Sequence, residues 1–206
     1  AITKNPLGGH FMLTDIESGK IVIVSDADKL DGSFMVALPI NRSYAIQVSF
    51  NSYLPYSLNF DLKIPDGQTH YHIDIPLNPI NSTTENVLAN VFFDLNKSSL
   101  RQESAIELKN LAEFLRKNPN LKIELGGHTD TRGNAVENLA LSTARAKTVY
   151  DYLISAEGID PKRLTFVGYG ETMPLMDDIG IAKLKNEIEI EKAHQKNRRT
   201  VYKIIK

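Results

Sequence analysis

The order of apolar residues changes near residue 87, and this change limits the folds open to the chain. Before it, short segments alternate apolar and polar residues and are separated by turn residues, which is typical of an all-β sandwich. After it, strand patterns alternate with helix patterns, which predicts helices on one face of a mixed sheet. The chain is therefore predicted to be α+β, with an N-terminal all-β sandwich, complete or truncated, followed by a β-α-β-α-β-β domain.

Four segments of the N-terminal part have the composition of strands, because they alternate or are rich in β-branched and aromatic residues. They are residues 20–27, 33–39, 44–50 and 70–77. Turn residues punctuate the region, with glycine, asparagine or aspartate where a tight turn needs them. The predicted turns are Glu17-Ser18-Gly19, Asp31-Gly32, Asn41-Arg42 and Pro65-Asp66-Gly67.

The C-terminal part predicts strands at 87–94, 121–127, 164–170 and 200–206. Ser99 with Gln102 predicts a capping box at the start of the first helix, which ends before Asn118-Pro119. Its apolar face contains Leu108, Leu111, Ala112 and Leu115. A second helix is predicted over 135–156, with Gly158 as its stop. Its predicted buried stripe is Leu141, Ala144, Thr148, Val149 and Tyr152. Residues 180–197 predict a surface helix with Ile181, Leu184, Ile188 and Lys192 on one face.

Composition supports two domains, predicted at 1–80 and 87–206 with the polar residues 81–86 as the linker. Residues 1–80 carry a net charge of −3 and residues 81–206 a net charge of +2, which is too little basic charge for nucleic-acid binding. No apolar run approaches the length of about 18 residues that spans a bilayer, so no transmembrane segment is predicted in this chain. Residues 1–9 lack the apolar core of a signal peptide, so any targeting signal or anchor is expected either to have been removed or to lie upstream.

The segment 126–146 carries the clearest chemistry. It places Asp130 in a glycine-flanked loop after a predicted strand and Arg145 inside the helix that follows. A carboxylate accepts hydrogen bonds from an ammonium group, and a planar guanidinium binds a carboxylate through two parallel hydrogen bonds. The pair can therefore hold an amino-acid head group, although an ordinary salt bridge between loop and helix is the alternative.

Five motifs in this order resemble the C-terminal peptidoglycan-binding domain of the OmpA/Pal/MotB family. They are VFFDLNKSSL (91–100), GHTDTRGN (127–134), LSTARA (141–146), GYGETMP (168–174) and NRR (197–199). The resemblance implies that Asp130 and Arg145 clasp meso-diaminopimelate in the peptidoglycan stem peptide. It also places Asp94, Asn138, Thr129, Arg132 and Gly133 at the pocket. It places one of Arg198 and Arg199 near the acidic loop, although a structural cation at the sheet edge is the alternative for both.

Each of these further residues has an alternative role. Asp94 can cap the end of its strand, and Asn138 can orient Asp130 or touch the ligand. Thr129 and Gly133 can shape the loop. Arg132 stands where relatives carry a small polar residue, so it either attracts carboxylates of the stem peptide or is solvated.

The N-terminal run 14–48 resembles carboxypeptidase-regulatory-like (transthyretin-like) domains, in a D-G-x-F turn and a following Leu-Pro. That family has further strands before this point. We therefore expect the chain to begin inside the domain.

The predicted function is noncovalent anchoring of an outer-membrane protein or assembly to the cell wall in the periplasm of a Gram-negative bacterium. The conspicuous pocket residues offer no nucleophile or activated water, so no catalytic residue and no cofactor are assigned. His70 and His72 lack a recognisable third ligand, so no metal site is assigned either. The alternatives are a peptidoglycan-processing enzyme and a protein-interaction scaffold on the same fold.

Overall fold

The structure is a computed structural model that describes residues 5–63, 70–94 and 97–205. It divides the chain into two units, Ala1–Ser82 and Thr83–Lys206. The predicted turn at Pro65-Asp66-Gly67 lies outside the described residues.

Four antiparallel strands form the sheet of the first unit, in the order β2-β1-β3-β4. They are β1 (His10–Asp15), β2 (Ile21–Asp26), β3 (Arg42–Ser49) and β4 (Tyr56–Leu62). The strands predicted at 20–27 and 44–50 are confirmed as β2 and β3, whereas β1 and β4 were not predicted individually. Alternate side chains of β3 are buried, as the two-residue period of a strand requires. Gly19 adopts a φ of 66° in the predicted turn between β1 and β2.

The strands predicted at 33–39 and 70–77 are wrong, because neither segment belongs to a β-ladder. Phe34 and Val36 are nevertheless partly buried against one cluster of the sheet, together with Ile75 and Leu77. The apolar alternation therefore reflects extended segments that pack through side chains rather than backbone pairing. Within its described residues the first unit has one hydrogen-bonded sheet, and its likeness to carboxypeptidase-regulatory-like domains stays a prediction.

The second unit is a mixed sheet with helices packed on it, which confirms the predicted α+β class. Its elements are β5 (Asn86–Val87), α1 (Ser104–Lys117), β6 (Lys122–His128), α2 (Ala135–Ser155), β7 (Leu164–Gly170), α3 (Asp178–Ile181), α4 (Glu187–Asn197) and β8 (Thr200–Ile205). The strand order is β5-β8-β6-β7, in which β6 and β7 are parallel and the other pairs antiparallel. Helix α2 packs on β6 and β7, and α1 packs on α2.

The start of the second unit differs from the prediction. Strand β5 covers only Asn86–Val87, and the rest of the predicted strand 87–94 is irregular apart from one bridge between Phe93 and Leu100. The predicted capping box is wrong, because α1 has Glu103 at its N-cap and no side-chain cap. The Ser104 hydroxyl instead bonds the backbone N–H and C=O of Phe92, at 2.9 and 3.2 Å. The segment before α1 is thus tied to the helix rather than to the sheet.

Both long-helix predictions need correction in detail. Helix α2 has the predicted extent, and the turn at Gly158, with φ of 67°, follows it. Its buried residues are Ser142, Ala146, Val149 and Leu153, so only Val149 of the predicted stripe is buried. The single helix predicted over 180–197 is two helices, α3 and α4, and Ile188 is exposed.

The predicted apolar face of α1 is buried, with Leu108, Leu111, Ala112 and Leu115 in the core. Ile123 and Leu125 of β6 are also buried. Among residues 5–63, 70–94 and 97–205, no helix has both the length and the apolar character needed to cross a membrane.

Candidate ligand-binding site

The loop between β6 and α2 places Asp130 at the end of the sheet. The Thr129 N–H donates to the Gly170 carbonyl at 2.9 Å, which ties the loop to the end of β7. Gly133 has a φ of 101°, a conformation that side chains disfavour. The Asn134 carboxamide oxygen then accepts from the Val136 and Glu137 N–H groups and caps α2. Asp130 is buried, whereas residues 132–137 of the loop and helix start are exposed.

Two glycines explain how α2 can lie so close to this loop. A Cβ atom on Gly127 would stand 2.2 Å from the Ser142 carbonyl oxygen, and one on Gly168 would stand 2.1 Å from the Thr143 hydroxyl. Only glycine fits at such separations. The Ser142 hydroxyl also accepts the Gly170 N–H at 2.9 Å. The helix that carries Arg145 is therefore fixed against the strands that carry the Asp130 loop.

The Asp130 carboxylate is covered by two arginines. Its Oδ2 accepts from Arg132 Nε at 3.1 Å and Nη2 at 2.7 Å, and also from Arg198 Nη1. Its Oδ1 accepts the backbone N–H of Arg132 at 3.2 Å. Burial alone would raise the pKa of the Asp130 carboxyl, but the hydrogen bonds from Arg132 and Arg198 outweigh it and hold that pKa below its usual value. The carboxylate is ionised at neutral pH.

Arg145 is a partly buried cation without a carboxylate partner in the described part of the chain. Its Nε donates to the Lys97 carbonyl at 3.1 Å, and its guanidinium carbon lies 5.1 Å from the centre of the Phe93 ring. Burial lowers the pKa of Arg145; Arg198 lowers it further, and Asp130 opposes both effects. The structure thus places Asp130 and Arg145 in one electrostatic environment without joining them as a salt bridge.

Asp94 lies on the segment that contacts Arg145. It follows Phe93 in the sequence, and its carboxylate accepts from Arg101 Nε at 3.1 Å and lies 3.9 Å from Lys97 Nζ. These are local contacts of a half-exposed side chain. The capping alternative and the binding role of Asp94 are both compatible with this position.

Asn138 braces the loop. Its side-chain nitrogen donates to the Arg132 carbonyl at 3.1 Å and to Glu171 Oε2 at 2.7 Å, and it lies 3.4 Å from the Asp130 carbonyl oxygen. These contacts are compatible with the orienting role of Asn138, and its role toward the ligand stays a prediction. The Thr129 hydroxyl is buried and has no hydrogen-bond partner among the residues that the structure describes.

Arg198 and Arg199, which lie between the end of α4 and the start of β8, contact different groups. Arg198 bonds Asp130, so it is the arginine near the acidic loop. Arg199 donates to the Met173 carbonyl at 3.0 Å, pairs with Glu85 at 3.5 Å, and has a side chain only 5% exposed. These contacts are compatible with the structural alternative for Arg199, and its role stays a prediction.

Glu191 of α4 is a site residue that the sequence did not reveal. It pairs with Arg132 at 3.0 Å and with Arg198 at 2.7 Å. Its only local signal is its place seven residues, about two helical turns, before Arg198, while Arg132 lies far away in sequence. No group of three or more histidines, aspartates or glutamates that could hold a metal ion occurs within the described ranges.

Fold and site together define an α+β domain in which a mixed sheet and one close-packed helix present a buried acid and a partly buried, unpaired arginine. Residues 92–198, just over half of the chain, match the OmpA family, and the chain belongs to that family.

Its relatives include outer membrane porin F of Pseudomonas aeruginosa, 34% identical over 116 residues, which are 56% of this chain and 33% of the relative. A peptidoglycan-associated lipoprotein of Rhizobium meliloti is 39% identical over 98 residues, 47% of this chain and 55% of the relative. The chain thus spans about a third to a half of these curated relatives.

Among solved structures, the peptidoglycan-associated lipoprotein of Burkholderia pseudomallei is 27% identical, with a TM-score of 0.46 over 56% of this chain and 88% of that one. The periplasmic domain of Helicobacter pylori MotB is 17% identical, with a TM-score of 0.46 over 78% of this chain and 80% of that one.

Proposed function

We propose that the second unit binds peptidoglycan noncovalently and anchors an outer-membrane protein or assembly to the cell wall. The ligand is the meso-diaminopimelate of the stem peptide, with its ammonium at Asp130 and its carboxylate at Arg145. The setting is the periplasm of a Gram-negative bacterium. The membership in the OmpA family supports this proposal, as do relatives named peptidoglycan-associated lipoprotein.

The observation that carries the proposal is the state of Arg145. A guanidinium that is partly removed from water and has no carboxylate partner among the described residues loses hydration without a compensating ion pair. A ligand carboxylate supplies the missing partner through two parallel hydrogen bonds. Asp130, ionised nearby, supplies the opposite charge for the ammonium group on the same carbon atom. The two ends of the site therefore match the two ends of an amino-acid head group.

The chain is a binding module and not an enzyme. The family relatives are porins and peptidoglycan-associated lipoproteins rather than enzymes. The site itself offers an acid whose charge is neutralised by two arginines and a cation on an aromatic ring, and neither is an activated nucleophile. Purified cell wall incubated with the chain should therefore release no soluble fragments.

Sedimentation with insoluble peptidoglycan tests the proposal. The chain should pellet with diaminopimelate-type wall, and free meso-diaminopimelate should compete. Wall that carries lysine instead lacks the second carboxylate, and amidated wall lacks its charge, so Arg145 would stay unpaired and binding should weaken. Equal binding to diaminopimelate-type and lysine-type wall at one ionic strength would contradict the two-ended recognition.

A further inference from the structure

The ammonium end of the site is already occupied by a side chain of the protein. Arg132 places Nε and Nη2 on Asp130 Oδ2 and its own backbone N–H on Oδ1. Arg198 contacts the same Oδ2. The Asp130 side chain is left only 8% exposed. An ammonium group that is to pair with Asp130 must therefore compete with a guanidinium.

Glu191 holds Arg132 in this position from the outside. Glu191 Oε2 pairs with Arg132 Nη1 at 3.0 Å, while Oε1 pairs with Arg198 Nη2 at 2.7 Å. Asp130, Arg132, Glu191 and Arg198 thus form a closed ring of two acids and two bases. Helix α4 contributes Glu191 to this ring, which gives the segment before the last strand a role at the site.

The ring has a fixed inner side and an exposed outer side. The side chains of Arg132 and Glu191 are 53% and 56% exposed, against 24% for Arg198. Water and salt reach the Arg132 guanidinium and the Glu191 carboxylate, so their ion pair is screened, and a long, half-exposed side chain loses freedom when it is held. Arg132 is therefore the member that can leave, while Arg198 stays on Asp130. When Arg132 leaves Asp130, the ammonium group of the ligand supplies one positive charge in its place. The net charge around Asp130 and Glu191 is therefore unchanged.

We propose that Arg132, held by Glu191, covers the ammonium subsite and is displaced by the ligand, so that this pair sets the affinity of the site. The inference rests on the proposed function, because it concerns the same Asp130. The charge of Arg132 alone would suggest that it attracts the carboxylates of the ligand. In this proposal Arg132 instead competes with the ammonium group of the ligand for Asp130, and Glu191 supports that competition.

Calorimetric titration of the whole chain with free meso-diaminopimelate tests whether Arg132 covers the ammonium subsite. Arg132→Ser should bind about two- to fivefold more tightly than the wild type, because the ligand then no longer has to displace a half-exposed arginine whose contacts water partly screens. Arg132→Lys should fall between the two, because an ammonium cannot span Asp130 and Glu191 as a planar fork does. Glu191→Gln should give a smaller gain, since Arg132 keeps its contact with Asp130.

Matched controls separate this effect from a general loss of charge. Arg116→Ser removes an arginine of similar exposure that is paired with Glu157, beyond the other end of α2. Helix α2 has 21 residues and is about 30 Å long, so this pair lies far from Asp130. Glu189→Gln is the corresponding control on α4. Both controls should bind as the wild type does.

The outcomes distinguish the covering role of Arg132 from the proposed binding of diaminopimelate. If the wild type binds and Arg132→Ser binds equally or more weakly, the covering role of Arg132 is refuted, while the proposed binding of diaminopimelate is retained. If neither protein binds, both proposals fail. If only Arg132→Ser binds measurably, both proposals are supported, because Arg132 then blocks the ammonium subsite in the wild type.

Discussion

Arg145→Met separates the binding role of Arg145 from its part in the fold. The change removes the guanidinium but keeps an unbranched apolar stem, and a thioether packs favourably on an aromatic ring such as Phe93. Two charge-assisted hydrogen bonds to the ligand carboxylate are lost, each worth about 1.5 to 3 kcal/mol. At the lower end the loss is about 3 kcal/mol, or roughly 100-fold in the dissociation constant.

The effect of the same change on stability should be small. The variant loses the hydrogen bond to the Lys97 carbonyl and the contact of the cation with the Phe93 ring. It also no longer has a partly buried charge without a carboxylate partner, which is unfavourable for the stability of the wild type. These effects oppose each other, so we expect the free energy of unfolding to stay within about 1 kcal/mol of the wild type, a few degrees in Tm.

Sedimentation with diaminopimelate-type wall, together with thermal unfolding, measures both quantities. Arg116→Met is the control, because Arg116 is also a helix arginine but pairs with Glu157 away from the site. The reasoning is refuted if a folded Arg145→Met protein binds within about threefold of the wild type. A large fall in Tm would instead show that Arg145 mainly supports the fold.

Two further changes test the Asp130 loop and its support. Asp130→Asn should weaken peptidoglycan binding, and because the pKa of Asp130 is held low in the fold, the wild type should lose more stability than the variant as the pH falls below about 4. Gly127→Ala should destabilise the second unit by about 3 kcal/mol, measured by denaturant unfolding, because its Cβ would collide with the Ser142 backbone. A Gly127→Ala protein of unchanged stability would mean that α2 does not lie so close to the sheet.

The elements with a local signal were predictable from the sequence. Strand β7 has the predicted bounds, and α2 ends before Gly158 as expected, because alternation and glycine stops act within a few residues. The segment 87–94 misled because its apolar residues serve packing and a bond to Ser104 rather than a ladder. Its apolar pattern alone could not show the difference.

The buried face of α2 shows why composition can mislead about a helix. Large apolar residues suggested a stripe through Leu141 and Tyr152, but the buried positions include Ser142 and Ala146. Small residues face the sheet here because glycines on the strands bring the helix backbone into contact with it. The glycines of the loop motif therefore serve helix packing as much as loop conformation. This packing is what holds Arg145 in place.

The composition of the site was predictable only in part. Asp130 and Arg145 were identified from a motif within one loop and one helix. Glu191 and its contacts with Arg132 depend on the folded position of α4, which no local pattern specifies. Long-range ion pairs of this kind arise from tertiary structure.

His128 gives the second unit a predicted dependence on pH that is separate from ligand binding. Its side chain is fully buried, it stacks on Tyr169 at 4.9 Å, and neither ring nitrogen has a hydrogen-bond partner among the described residues. Burial, reinforced by Arg199 and Lys203, lowers the pKa of His128 to about 4. The carboxylate of Glu85 lies 3.9 Å from Nε2, yet it also pairs with Arg199 and does not offset the burial.

The sign of the effect follows from the proton count. In the unfolded chain the pKa of the imidazole returns to about 6.5, so between pH 6.5 and pH 4 the unfolded state binds a proton that the folded state does not. The contribution of neutral His128 to the free energy of unfolding is therefore fully present above pH 6.5 and decreases as the pH falls through this window. At pH 5 the decrease is on the order of 2 kcal/mol. His128→Phe keeps a flat ring on Tyr169 and removes the titrating group. Thermal unfolding should show the variant gaining on the wild type between pH 7.5 and pH 5, and an equal difference at both pH values would show that His128 is not buried in its neutral form.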